Sequence, residues 1–387
     1  MNSYLGYSET KLNENKGYWT AKEIMQQPEC WRKTFNIVNE CSAQLSDFMS
    51  QFIDKPDLRI ILTGAGTSAF AGKAVAPTLT KLTNHRIEAI ASTDLVSNPA
   101  DYFAEDLPTL VVSFARSGNS PESVAAVDLA DQCLSECYHL FLTCNAEGEL
   151  YKSSLKSDKR FALAMPPESN DQSFAMTSSF TSMMLSLCIV FSEDCFNKKE
   201  IENICTSSEA WITAINPSLI TMSDEYVERV IYLGSGGFQG LAQESSLKLL
   251  ELTAGKIVSC FDSPLGFRHG PKSIVDDKTI VFVFVSNDPY TRKYDLDLLN
   301  ELRQDNIAKR VIAISAQADD IPVDDNHSLV PDMSDASDVQ LLFPYITFAQ
   351  IYAFHSALKL GNTPDNPCPT GEVNRVVQGV NIHNFNK

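Results

Sequence analysis

The chain has 387 residues, of which 44% are apolar and 21% charged, and its formal charge is −18. That length asks for two domains, and that composition for an ordered globular protein. The acidic balance excludes non-specific binding to nucleic acid or to anionic membranes, so an anionic substrate has to be held by local donors against the overall field.

The N-terminal stretch MNSYLGYSETKLNENK is polar and has no apolar signal-peptide core. The longest apolar runs, such as Phe180–Phe191, are too short to span a bilayer, so a cytoplasmic location is expected. The ten cysteines include no CxxC pair. Cys133 and Cys137 stand four apart, a shared helical face, with no nearby histidine to complete a zinc pattern. Free buried thiols and no metal site are the expectation.

Residues 1–52 read as an N-terminal helical segment. Thr20-Ala21-Lys22-Glu23 fits a capping box, and that helix is expected to stop near Pro28. A second helix is expected from Trp31 to Phe52, with Phe35, Val38, Leu45, Phe48 and Met49 on its apolar face.

From Leu58 the pattern becomes α/β. RIILTGAGTSAF reads as strand, glycine turn and helix, and TLVVSF, HLFLTCN and RFALAMP as further strands, most of them separated by helices. The order then recurs. Gly64 and Gly66 find counterparts in Gly234 and Gly236, and Thr109–Val112 falls on Thr279–Phe282 at the same offset of 170. HLFLT is echoed by RVIAIS, and RFALAMP by HSLVPDM. Each half ends in an apolar helix, Ser178–Phe191 and Leu341–Leu360. A repeat this long is two copies of one doubly wound α/β domain rather than a solenoid. The copies are placed at 53–212 and 213–361, with a joint near Trp211–Asp224 and an extended tail over 362–387.

The stretch VVSFARSGNSPES in the first copy reads as a strand, a hydroxyl-rich turn and a helix. Ser120 is set to be the N-cap and Pro121 the first helical residue. Free amides and the positive end of the helix dipole then converge with the hydroxyls of Ser117 and Ser120, with Asn119, and with the charge of Arg116. Such a turn is either an anion site or an ordinary capped turn. Its counterpart in the second copy, SNDPYTRKYD, lacks the hydroxyl-Gly-hydroxyl pattern. That asymmetry favours an anion site confined to the first copy. Gly64-Ala65-Gly66-Thr67-Ser68 is a weak dinucleotide fingerprint, without the third glycine or a following acidic residue. Gly66, Thr67 and Ser68 read better as sugar or phosphate contacts.

The second copy supplies other chemistry. Glu244, Lys248 and Glu251 recur on one helical face, which is either a solvated ion-pair array or a proton-transfer group. His269 lies in a loop between glycines and beside Arg268, a credible proton shuttle.

GTSAFAGKA, SFARSGNSPES, ESSLKLLELTAG and FRHGP together resemble the tandem sugar-isomerase (SIS) domain family over roughly residues 55–380. The architecture is similar to the isomerase half of glucosamine-6-phosphate synthase. TAKEIMQQPECW, DSPLGFRHGPKS and CPTGEVNRVVQGV look most like its AgaS group of galactosamine-6-phosphate deaminase/isomerases, which are also called tagatose-6-phosphate ketose/aldose isomerases. The resemblance implies that Ser68, Ser117 and Ser120, with Thr67, Arg116 and Asn119, hold a sugar phosphate. It implies Glu251 as the C1/C2 proton shuttle, Lys248 as its companion, and His269 as a ring-opening group supplied by the neighbouring subunit of a homodimer. Position 2 is Asn rather than a cysteine nucleophile, so no internal ammonia source and no amino-sugar synthesis are expected. The family's imine-forming lysine aligns with Gln378, leaving that position only a possible tail contact. The function implied is conversion of galactosamine 6-phosphate to tagatose 6-phosphate and ammonia, without metal or redox cofactor. The alternatives are a plain aldose-ketose isomerase and a non-catalytic phosphosugar sensor.

Overall fold

The computed structural model describes residues 3–322, 324–371, 373–377 and 379–386. Two five-stranded sheets carry the two halves, and every neighbouring pair of strands in them is parallel. Across the first sheet the order is Arg86–Ala89, Arg59–Thr63, Thr109–Ala115, Cys137–Thr143, Arg160–Ala164. Across the second it is Val258–Asp262, Arg229–Gly234, Thr279–Phe284, Arg310–Ser315, His327–Leu329. In each sheet the second strand in sequence lies outside the first, and the third lies on its other side. This is the doubly wound pattern, and it puts a topological switch point between the first and third strands.

The central strands are buried along their whole length, as strands covered on both faces must be. Ile61, Val111, Ala126 and Leu129 pack in one core of the first half, and Ile231, Val281, Leu298 and Ala313 in the second. The helix Asp338–Lys359 is long and apolar enough to cross a membrane by length and composition, yet 94% of its apolar window is buried inside the protein. It is the core helix against which Gly237–Leu252 packs.

Several local expectations are corrected. Each sheet has a fifth strand, RIEA or VSCFD, that the sequence pattern did not reveal. Both are short, mixed in polarity and only half-buried, because they lie at sheet edges. Thr20 does not cap a helix: it lies inside Tyr18–Met25, whose N-cap is Gly17. Its amide and hydroxyl donate instead to Asp365 Oδ1, at 2.8 and 2.7 Å. Pro28 does not end a helix but sits in the first turn of Gln27–Glu40, where its missing N–H costs nothing. The helix expected over Trp31–Phe52 breaks at Cys41 into that helix and Ser42–Met49. The joint expected near Trp211–Asp224 is part of one continuous helix, Lys198–Ser223. Cys133 ends the helix Pro121–Cys133 while Cys137 starts a strand, so the two share no helical face. All ten cysteines are free.

By spatial contacts the chain forms two compact units. One comprises residues 1–28, 171–177 and 199–371, the other residues 29–170, 178–198 and 372–387. The N-terminal segment therefore divides at Pro28 and the tail at Gly371, rather than each standing as a separate piece.

Candidate active site

In the first half, the glycine turn and the serine turn leave the C-terminal ends of the adjacent strands Arg59–Thr63 and Thr109–Ala115. These are the two strands that flank the switch point, where ligands bind in such sheets. Gly64 is required there by close approach: a Cβ would lie 2.5 Å from Ser68 Cβ and 3.0 Å from the Phe114 carbonyl. Gly66 is required by conformation, with φ +56° and ψ −126°. The helix Thr67–Thr83 starts on it, so Thr67 and Ser68 form the first turn and are buried just beyond the C-terminal end of the strand Arg59–Thr63.

The serine turn is braced from the next strand's loop. Asn145 Nδ2 donates to the Ser117 carbonyl at 2.8 Å, and the Glu149 amide donates to Asn119 Oδ1 at 2.9 Å. Ser120 occupies the N-cap position before Pro121, as expected, but its side chain makes no capping bond. Its hydroxyl donates to Ser123 Oγ at 2.6 Å. The amides at this helix start are thus left without a side-chain cap, the arrangement that suits an anion. Arg116 is buried, and its Nη2 donates to the Arg375 carbonyl at 2.6 Å. Arg375 in turn donates from Nη2 to Asn170 Oδ1 at 3.1 Å. The tail is therefore hydrogen-bonded to the serine turn, a link of 259 residues that no local pattern carries.

In the second half, the helix Gly237–Leu252 starts on Gly236 directly after its glycine turn. Glu244, Lys248 and Glu251 lie along one face, and this is no solvated array. Lys248 Nζ lies 3.3 Å from Glu244 Oε1 and 2.5 Å from Glu251 Oε2. The side chains of Glu244 and Lys248 are 0% and 1% exposed, whereas that of Glu251 keeps 23%. Burial alone would push the Lys248 ammonium down, but the two carboxylates hold its pKa above the ordinary lysine value. A lysine held protonated is a poor nucleophile and a good partner for developing negative charge. Glu251 is the one carboxylate of the three residues with access to solvent.

His269 follows the short helix Pro264–Phe267, capped by Ser263 Oγ, which accepts from the Gly266 amide at 3.1 Å. The loop is tied down by Arg268, at 2.8 Å from Glu301 Oε2, and by Lys272, which pairs with Glu301 and Asp305. The His269 imidazole is exposed and makes no hydrogen bond to Lys248 or Glu251 among the described residues. Gln378 lies outside the described residues.

Two features escaped the sequence reading. Glu23 and Asp171 are buried carboxylates in one unit. Glu23 accepts from the Gln172 and Ser173 amides and from the Ser173 hydroxyl, while Asp171 accepts from the Thr177 amide at 2.8 Å. The signal was a lone acid in the apolar face of TAKEIM. The second feature is His139, whose Nε2 lies 2.7 Å from Asp131 Oδ1 and 3.5 Å from Cys137 Sγ. The histidine thought absent near Cys137 is two residues on, on the same strand. Arg160 also pairs with Asp131, at 2.5 Å, and competes with any cation there.

The SIS domain model matches residues 52–192 and 226–348. The chain is 50% identical over 368 residues to an Escherichia coli protein named D-galactosamine-6-phosphate deaminase AgaS, covering 95% of this chain and 96% of that one. A Shewanella protein of the same name is 44% identical, over 100% of this chain and 97% of its own. The crystal structure of tagatose-6-phosphate ketose/aldose isomerase from Escherichia coli superposes with a TM-score of 0.90 at 47% identity, covering 96% of this chain and 98% of that one. Two switch-point turns on repeated parallel sheets, with these likenesses over nearly the whole length, place the chain in the SIS domain family, which it joins through the AgaS proteins.

Proposed function

We propose that this chain converts galactosamine 6-phosphate and water to tagatose 6-phosphate and ammonia, in cytoplasmic catabolism of N-acetylgalactosamine and galactosamine. The observation that carries the reading is the graded burial along one helix face: Glu244 and Lys248 are sealed, and Glu251 alone faces solvent. It fits a proton shuttle beside a fixed positive charge. The names of the AgaS relatives support the substrate.

In this reading the turns at Gly66–Ser68 and Arg116–Ser120 hold the 6-phosphate, a positioning role. The enzyme works as a homodimer, and His269 of the partner subunit moves a proton between the ring oxygen and O1 to open the sugar. Glu251 takes the C2 proton of the open-chain aldose and returns it to C1. The electrons pass through an enolamine whose developing charge faces the Lys248 ammonium. The product is an imine at C2. Water adds to it, nitrogen leaves as ammonia, and the ketose phosphate remains. Every step is proton transfer or hydrolysis, so the reaction calls on no redox cofactor, and this reading gives no step to a metal.

The name of the Escherichia coli structure favours a second reading, aldose-ketose isomerisation at the same site without loss of nitrogen. Ammonia release measured over a panel of 6-phosphorylated hexosamines separates the two. The expected outcome is stoichiometric ammonia and ketose with the galacto amine as the best substrate. Isomerised product with no ammonia from any amine would establish the second reading instead.

A further inference from the structure

The second half retains the backbone of the anion-binding turns. Gly236 has φ +56° and ψ −124°, against +56° and −126° at Gly66. The helices that follow the third strands begin at Pro121 and Thr291, the same offset of 170 that relates the glycine turns. Four donors of these second-half turns are engaged by two of the chain's own carboxylates. Ser235, in the glycine turn, donates its hydroxyl to Asp295 Oδ1. The Ser286 amide donates to Asp295 Oδ2 at 3.0 Å. The Ser286 hydroxyl and the Asn287 amide donate to Asp338, at 2.5 and 2.8 Å. Asp295 is wholly buried. Arg292, on the same helix, donates to the carbonyls of Ser286 and Gln317, at 3.4 and 3.2 Å, and so closes the turn from behind.

The residue at the Asp295 position of the first-half helix is Ala125. The residue matching Asp338, the first of each terminal apolar helix, is Ser178. Two carboxylates in one copy are thus an alanine and a serine in the other.

We infer that Asp295 and Asp338 are built-in occupants of the second half's anion cradle, and that Ala125 is the specificity-determining position that leaves the first half's cradle to an external phosphate. The inference rests on the phosphate reading of the serine turn. At the same offset Ser235 and Ser286 fall on Ala65 and Arg116, so a carboxylate at position 125 would compete with the phosphate for the Arg116 amide and would repel its charge. Burial raises the Asp295 pKa to about 6, opposed by the bonds from Ser235 and Ser286, so the group is ionised at neutral pH and above.

The test is calorimetric titration of the full chain at pH 8 with galactitol 6-phosphate, an alditol that cannot react. The wild type is expected to bind one equivalent per chain. Ala125→Asp should weaken binding about tenfold or more, and Ala125→Asn, of equal size without the charge, by much less. Two equivalents per wild-type chain, or binding by Ala125→Asp as tight as by Ala125→Asn, overturns the inference. The stoichiometry decides even where neither variant folds. If the wild type binds none, or binds the unphosphorylated alditol equally well, the phosphate reading itself has failed.

Discussion

The guanidinium of Arg116 donates to the backbone carbonyl of Arg375, at 2.6 Å, within one compact unit of the fold. One donor of the serine turn's cation is therefore spent on the tail, and the tail helps to fix that turn. Arg116→Ala should raise KM for the phosphosugar about tenfold, since a charge-assisted hydrogen bond contributes about 1.5–3 kcal/mol. It should also lower the melting temperature, because the Arg375 carbonyl loses its donor. Unchanged KM together with unchanged melting would remove Arg116 from both roles.

The two serines of the turn are not equivalent. Ser120 already donates to Ser123, whereas the Ser117 hydroxyl accepts a 3.3 Å bond from the Asn119 amide and so keeps its proton for a ligand. Ser117→Ala should raise KM more than Ser120→Ala, with the double variant highest and kcat little altered. Steady-state kinetics of the three variants check this, and a KM equal to wild type in the double variant rejects the phosphate assignment.

Glu251→Gln should lower kcat by about 10²–10⁴, the usual worth of a positioned general base, with phosphosugar binding nearly intact. Deuterium at C2 should cease to exchange with solvent in this variant. Turnover at the wild-type rate is incompatible with the proton-shuttle role.

Lys248 is buried between two carboxylates, so its removal takes an ion-pair partner 3.3 Å away from the buried Glu244. Lys248→Ala should destabilise the protein by about 3–5 kcal/mol, the typical cost of breaking a buried pair by deleting one partner. Chemical denaturation measures it. A loss under about 1 kcal/mol would mean that the helix face is far more solvated than its burial indicates.

Burial and the neighbouring Asp171 push the Glu23 carboxyl well above its ordinary value. The folded state therefore binds this proton more tightly than the unfolded chain does. Its stabilising contribution is complete below the unfolded pKa, near 4.5, and is lost as the pH rises through the raised folded value. Glu23→Gln cannot lose that proton, so its melting temperature should fall less than that of the wild type between pH 6 and 9. Parallel pH profiles would show that Glu23 does not titrate in this window.

The sequence by itself determined the alternation of apolar strands and helices, the 170-residue repeat and the two glycine turns. These depend on local geometry: the period of a strand, the cap of a helix, the room a Cβ would need. The central strands were legible because both faces are buried, whereas RIEA and VSCFD at the sheet edges lacked that signature. Tertiary structure alone decided which polar groups are sealed. The spacing of Glu244, Lys248 and Glu251 is the same for a solvated face and a buried one, and packing against Asp338–Lys359 separates them. Likewise Glu23 with Ser173, Arg116 with Arg375 and Ser286 with Asp338 meet across long sequence separations. A hydrogen bond needs two groups within about 3 Å, and only the completed fold fixes that distance.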